Sequence, residues 1–412
     1  MKRRLLLFCM MFSMMLAGVC GVIAKGLTQG EAIPRPGVSI PEKTDKNAQE
    51  FRAVWVPYMT LDQSAGEKGR DTWEAKVEEI VTTAVDLELN TIIVHVRPFS
   101  DALYPSKIYP WSHILTGAQG MNPGYDPLEL LLQKAHEADL QVHAWINPLR
   151  IRSLETPQIL ASNHPYVLWQ NDSSAENNAW AKELSSGIYY NPAYPEVRKQ
   201  IIDGVRELVE RYDVDGIHMD DYFYPTQDAS FDAEAYESYC TQSAGQGEVL
   251  SLEAWRFENI NLMVSGIYSA VKAIDPTVQV GISPQGNLEN CAKMYADVKT
   301  WVQVEGYVDY ICPQLYYSFE NKVLPFRLAA DTWREMTTLP KVRLTAGIAL
   351  YKAGSEADEG QWQTSENILQ RQVEYLREIG YEGFALYSYD YITTEQTAAE
   401  MEHLQNCMGR TK

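Results

Sequence analysis

The chain has 412 residues, 45% hydrophobic and 22% charged, an ordinary globular composition with room for two average domains or one α/β barrel. Its formal charge of −20 argues against nucleic acid or anionic lipid as a partner, since both would repel it.

In chain order, Lys2, Arg3 and Arg4 form a basic start, and Leu5 to Cys20 is an apolar run of 16 residues. That run falls short of the ~20 residues needed to span a bilayer. Small residues follow at Val22 and Ala24, the two positions a signal peptidase reads. Residues 1–24 therefore read as a cleaved signal peptide, which makes the protein secreted or cell-envelope, with no stable membrane span. A lipoprotein anchored through Cys20 is the competing reading, disfavoured by Val19 directly before it. Cleavage removes three positive charges and takes −20 to −23. Residues 25–49 are rich in Gly, Pro, Glu and Lys without apolar periodicity and read as a flexible linker. Cys240, Cys291, Cys312 and Cys407 remain, without metal-ligand spacing; a bridge between two of them would suit an exported protein, but the sequence selects none.

From Phe51 onward a pattern repeats. Apolar runs rich in Val and Ile occupy residues 51–58, 90–99, 141–148, 214–221, 278–285, 308–317, 342–351 and 383–390. Near-continuous apolar runs are what strands buried on both faces require. Between them lie segments of helical period, among them 73–89, 127–140, 195–212, 365–380 and 394–407. Pro195 suits a first helical turn, and Ser365 and Gly380 look like start and stop signals. Eight strands alternating with helices predict a single α/β domain over 50–409, a (β/α)8 TIM barrel. An open doubly wound sheet is the alternative, but no Gly-x-Gly-x-x-Gly or Walker loop follows any strand. Long loops, 149–194 after strand 3 and 222–277 after strand 4, leave the C-terminal face and are expected to wall a cleft.

Polar residues at the C-terminal ends of barrel strands are the ones to suspect. Strand 2 offers His95 and Arg97, strand 3 Trp145 and Asn147, strand 4 His218, Asp220 and Asp221, followed by Tyr222. Strands 5, 6 and 8 add Gln285, then Gln314, Tyr316 and Tyr317, then Tyr387. Alternation puts His218, Asp220 and Tyr222 on one face, with His218 a layer deeper, and pairs His95 with Arg97. Asp221 would face outward unless the strand has already ended. Each residue also has a plain structural reading: strand-end aspartates cap turns, buried histidines satisfy hydrogen bonds, and Arg97 could form an internal ion pair. The clustering at strand ends, and a carboxylate pair followed by three aromatics in VDGIHMDDYFYP (214–225), favour function for Asp220.

That stretch resembles the fourth-strand signature of glycoside hydrolase family 18 at Asp215, Gly216 and Asp220, but His218 replaces the middle aspartate and Tyr222 the acid. A fuller resemblance runs through FRAVWVPY, TIIVHVRPFSDALYPS, HAWINPLRI, YYNPAYPEVR, DGIHMDDYFYP, GISPQGN and YICPQLYYSFEN, which are similar to the glycosyl-hydrolase-like family 10. The resemblance implies an exported barrel, and some members cleave peptidoglycan strands stripped of stem peptides. It implies Asp220 and Asp221 as catalytic, with His95, Arg97, Asn147, Gln285, Gln314 and Tyr316 around a polysaccharide substrate; no cofactor is expected. Some members carry a C-terminal sandwich module, which this sequence is expected to lack.

Glycosidic cleavage needs a protonated carboxyl for the leaving oxygen and a second group opposite it. Asp220 is the expected acid and Asp221 its partner; Asp101, Glu320 and Asp390 are other possible second carboxylates. Trp145, Tyr222, Tyr224 and Tyr317 are candidates for sugar stacking. Two rivals stand. His95, His143, His218 and Asp220 could hold zinc in a metal-dependent deacetylase or hydrolase, although no ligand-spacing motif is present. A non-catalytic glycan-binding barrel would use the same aromatics.

Overall fold

The computed structural model describes residues 49–408, apart from 155 and 246. The signal-peptide and lipoprotein readings lie outside the described residues, as does the linker except for residue 49. The described residues from Glu50 onward form one compact unit.

All eight expected strands are present: β1 (Phe51–Val56), β2 (Thr91–Arg97), β3 (Gln141–Ile146), β4 (Gly216–Met219), β5 (Gln279–Ile282), β6 (Tyr310–Ile311), β7 in two pieces (Arg343–Leu344 and Ala346–Ile348) and β8 (Gly383–Leu386). Every neighbouring pair is parallel, β1 pairs with both β2 and β8, and β6 and β8 hold the two pieces of β7. The sheet therefore closes on itself as a TIM barrel. Thr345 interrupts β7, yet its N–H still reaches the Ile311 carbonyl at 2.9 Å.

Helices cover the outside: α1 (Arg70–Asp86), α2 (Pro127–Glu137), α3 (Pro195–Arg211), α4 (Leu252–Ile274), the short α5 (Val298–Trp301), α6 (Phe326–Met336), α7 (Ile368–Glu378) and α8 (Ala398–Met408). Pro195 opens α3 as expected, and Asp126 and Ser251 cap α2 and α4 by accepting from Glu129 and Ala254 N–H. Ser365 does not cap α7. The Glu400 carboxylate, from α8, takes the Ile368 and Leu369 N–H groups at 2.9 and 3.1 Å, so a tertiary contact replaces the local one. Among the described residues, no helix is long and apolar enough to cross a membrane, and the four cysteines are free.

Two cores result. The larger lies between strands and helices; the smaller fills the barrel with Phe51, Ala53, Trp55, Ile93, Trp145, Tyr310, Cys312 and Ala385. Gly281 leaves space for the Tyr310 ring, since a Cβ there would stand 1.9 Å from it. Tyr310 in turn joins two buried histidines, its hydroxyl lying 2.7 Å from His218 Nδ1 and 2.9 Å from His143 Nδ1.

The long loops build upward from the C-terminal face. The one after β3 contains a three-stranded antiparallel sheet (Arg150–Ser153, Ala181–Leu184, Gly187–Tyr190), and the one after β4 carries a helix, Ala233–Ser243, before α4.

Candidate active site at the mouth of the barrel

Strand β4 ends at Met219, so Asp220 and Asp221 leave the ladder together and both turn into the mouth. Asp220 is buried, and its Oδ2 accepts from Asn147 Nδ2 at 2.5 Å and Trp145 Nε1 at 3.2 Å. Among the described residues, its Oδ1 receives only the Tyr222 N–H, at 3.3 Å. Asp221 is held by two amides: Gln285 Nε2 donates to Oδ2 at 2.9 Å and Gln314 Nε2 to Oδ1 at 3.1 Å. Burial and the neighbouring Asp221 charge push the Asp220 carboxyl up to about 6, against the pull of Arg150 and the Asn147 amide. Burial raises Asp221 too, opposed by Gln314 and Gln285. Neighbouring buried carboxylates do not both ionise easily, and Asp220, buried beside the Asp221 charge, holds its proton above the usual carboxylate range.

The other expected residues sort by depth and direction. His95 donates through Nε2 to Asn147 Oδ1 at 2.7 Å and lies flat against the Trp145 ring, centroids 3.7 Å apart. Trp145 is thus only 5% exposed and serves as a donor to Asp220 rather than as an open stacking face. His218 sits below the pair, as its parity required, accepting from Trp55 Nε1 at 3.1 Å and lying 2.9 Å from Ser283 Oγ. No polymer reaches it there. Tyr316 and Tyr387 pack 5.8 Å apart at the rim, each also against Tyr351, and Tyr387 feels both aspartates. Tyr222 is 51% exposed, above the Arg150 guanidinium at 5.4 Å, and is the open ring of the mouth. Tyr317 is half-buried and packs beside Gly286.

Two further placements correct the sequence reading, beyond those of Trp145 and His218. Arg97 does not share a face with His95, because a register irregularity between them turns it outward. Its guanidinium lies 4.5 Å over the Tyr109 ring, in the space left by Gly204 of α3, and outside the barrel. Tyr224 is buried, its hydroxyl donating to Asp232 beside Arg256, so it is core and not a sugar platform. The alternative carboxylates also stand apart from the pair. Asp101 accepts from Gln119 and pairs with His113, Asp390 accepts from Thr60, and Glu320 is exposed. Among the described residues, no three His, Cys, Asp or Glu side chains converge as metal ligands. His143 and His218 meet at Tyr310 while His95 turns to Asn147, which disperses the ligand set of the zinc reading.

Arg150, just past the end of β3, also belongs to the site. Its Nε donates to the Pro98 carbonyl at 2.9 Å, its Nη2 to Asn147 Oδ1, and it stacks on Phe99 as well as Tyr222. Tyr351 and Lys352, at the end of β7, were missed. Lys352 Nζ donates to the Tyr316 carbonyl at 2.7 Å and so fixes the rim. The strand-end rule, applied to residues 342–351, reaches Tyr351, and Lys352 stands one residue beyond that run.

The sequence profile of the family described as Glycosyl hydrolase-like 10 matches residues 50–364. Glycosyl hydrolase YngK of Bacillus subtilis (strain 168) is 34% identical over 365 residues, covering 83% of this chain and 67% of that protein. Glycosyl hydrolase DigH of Escherichia coli (strain K12) is 31% identical over 409 residues, covering 91% of each. Among solved structures, the PgaB (BpsB) glycoside hydrolase domain of Bordetella bronchiseptica aligns with a TM-score of 0.55 at 13% identity, over 88% of this chain and 100% of that one. The catalytic domain of β-amylase from Paenibacillus polymyxa gives 0.56 at 13%, over 87% and 98%. At such identity these two share the barrel fold alone. The first three matches, which span the strands that carry the carboxylate pair and its donors, show that this chain belongs to the Glycosyl hydrolase-like 10 family.

Proposed function

We propose that this chain is an exported glycoside hydrolase that cleaves glycosidic bonds of an amino-sugar polysaccharide of the cell wall, with peptide-free peptidoglycan strands as its substrate. The observation that carries the catalytic reading is the unequal carboxylate pair at the barrel mouth. Asp220 Oδ2 is occupied by two donors, so the transferable proton resides on Oδ1, and burial beside Asp221 keeps it there toward neutral pH. Asp220 gives that proton to the leaving glycosidic oxygen. Asp221, its two oxygens held by separate amides, is the ionised partner that balances positive charge developing on the sugar ring. A water adds its oxygen to the anomeric carbon and gives up the proton that restores the protonated member of the pair. Tyr222 offers the exposed ring on which a sugar face stacks, and Tyr316 and Tyr387 close the opposite rim. Family membership supports a glycosidase-like function and a polysaccharide ligand. The peptidoglycan reading is supported by the family resemblance of the sequence blocks, and export by the basic, then apolar, N-terminus.

The test is to incubate the chain lacking residues 1–24 with peptide-free peptidoglycan strands and with chitin oligomers, and to weigh the products by mass spectrometry. Shortened glycans are expected, with Asp220→Asn slowing their formation by about 10²–10⁴-fold while binding persists. Chelator-sensitive loss of one acetyl mass would move the assignment to a metal-dependent deacetylase. Bound but unaltered glycans would leave a lectin-like barrel.

A further inference from the structure

His95 is fully buried, makes no hydrogen bond to either aspartate among the described residues, and yet meets both side chains that donate to Asp220 Oδ2. Asn147 Oδ1 accepts from His95 Nε2 and from Arg150 Nη2, so its amide cannot turn over without setting N–H against N–H. Its Nδ2 is thereby aimed at Asp220. The imidazole also stacks on Trp145, interplanar angle 8°, and holds that indole where its Nε1 reaches the same oxygen. Because Nε2 donates, the ring is the Nε2–H tautomer, and burial keeps it neutral across the working range. Its Nδ1 is buried without a protein partner among the described residues. Such a ring is unsuited to grip a sugar but well suited to orient an amide.

We propose that His95 is a positioning residue that, through Asn147 and Trp145, reserves Asp220 Oδ2 for protein donors and leaves Oδ1 as the oxygen that carries the transferable proton. The positioning stands on the hydrogen bonds alone; its catalytic consequence rests on the glycosidase reading. A histidine that merely filled space would contribute its ring and nothing through its N–H.

The test separates ring from N–H. His95→Phe keeps a flat ring against Trp145 and removes the donor; His95→Gln keeps a donor at similar reach and removes the ring. Each is made in an Asp221→Asn background, so that one carboxyl of the pair titrates, and Asp220 is followed by carboxyl carbon-13 NMR against pH. The remaining groups facing it are unchanged between variants: Arg150 from the β3 loop, Tyr222 beside it and Tyr387 from β8. A donor to the ionised carboxylate lowers its pKa, so slackening the Asn147 arm raises it. His95→Phe is expected to move the Asp220 titration up by about one unit, and His95→Gln to return most of that shift. Asn147→Ala must reproduce the upward shift, and settles the matter should His95→Phe not fold. In the Asn147→Ala background, His95→Phe should add nothing further. Titrations unmoved by Asn147→Ala, or moved equally by His95→Phe and His95→Gln, would overturn the proposal. The NMR readout needs no substrate, so a chain that cuts no glycan would sink the glycosidase reading while leaving this result to stand or fall separately. In an active enzyme, the alkaline limb of kcat/KM should follow the same shift.

Discussion

The two aspartates are chemically identical and neighbours in sequence, yet their surroundings assign them different states. Asp220 sees an indole, an amide and a distant backbone N–H; Asp221 sees two amides, one on each oxygen. The largest force on Asp220 after burial is the charge on Asp221. That gives a sign that can be tested. The acid works only while protonated, so wild-type kcat/KM should fall as pH rises through about 6. Asp221→Asn removes the like charge, Asp220 then loses its proton sooner, and the alkaline limb should move to lower pH by about one unit. Burial remains, so the limb should stay above that of an exposed aspartate. A limb that holds still, or moves upward, would mean that Asp220 is not the titrating acid. Much of this site was legible in the sequence, because period-two alternation is a strict rule within a strand: Asp220 above His218, and Asn147 above Trp145, follow from counting by twos. The inward turn of Asp221 was conditional on where β4 ends, and hydrogen bonding between strands, not local sequence, ends it at Met219.

At the scale of one element, β2 shows where such counting stops. His95 faces Trp145 across the ladder, but Arg97 faces Ile146, one step short of the regular register. One irregular residue reverses every side chain after it, and nothing in TIIVHVR announces it. The consequence is that Arg97 belongs to the outer layer, with Tyr109 and Gly204, and not to the cleft. Arg97→Met should therefore leave kcat/KM within about threefold of wild type, less than ~0.7 kcal/mol of transition-state stabilisation. The melting temperature should hold or rise, since two of its buried guanidinium nitrogens have no partner among the described residues and a thioether needs none. A loss of tenfold or more in a folded variant would return Arg97 to the site. Helix α7 makes the same point differently. The sequence offers a local serine at its start, whereas its first N–H groups are taken by Glu400, some thirty residues on, a partner that becomes visible only once α8 has docked.

The barrel as a whole was the most legible feature, because eight repeats of one pattern leave few other ways to close a sheet; each strand is weak evidence and the series is strong. Function is a different matter, since this fold hosts many chemistries and the site alone chooses among them. One property does belong to the whole molecule: a net charge of −20, spread over 55 acidic and 35 basic residues. A peptide-free peptidoglycan strand carries carboxylates of its own, so protein and proposed substrate repel at long range, and the repulsion is screened beyond about 10 Å at 0.1 M salt. Raising ionic strength from about 20 to about 200 mM should therefore increase kcat/KM on peptidoglycan strands and leave it nearly flat on neutral chitin oligomers, because encounter and not chemistry is being relieved. The opposite slope is also informative. If activity on the anionic strand falls with salt while chitin stays flat, the local field of Arg150 and Lys352 at the mouth outweighs the distant acidic surface, and the substrate is being drawn in by those cations. Equal slopes on both polymers would show that charge on the glycan is not sensed at all, and the acidic strand would lose its standing as the preferred substrate.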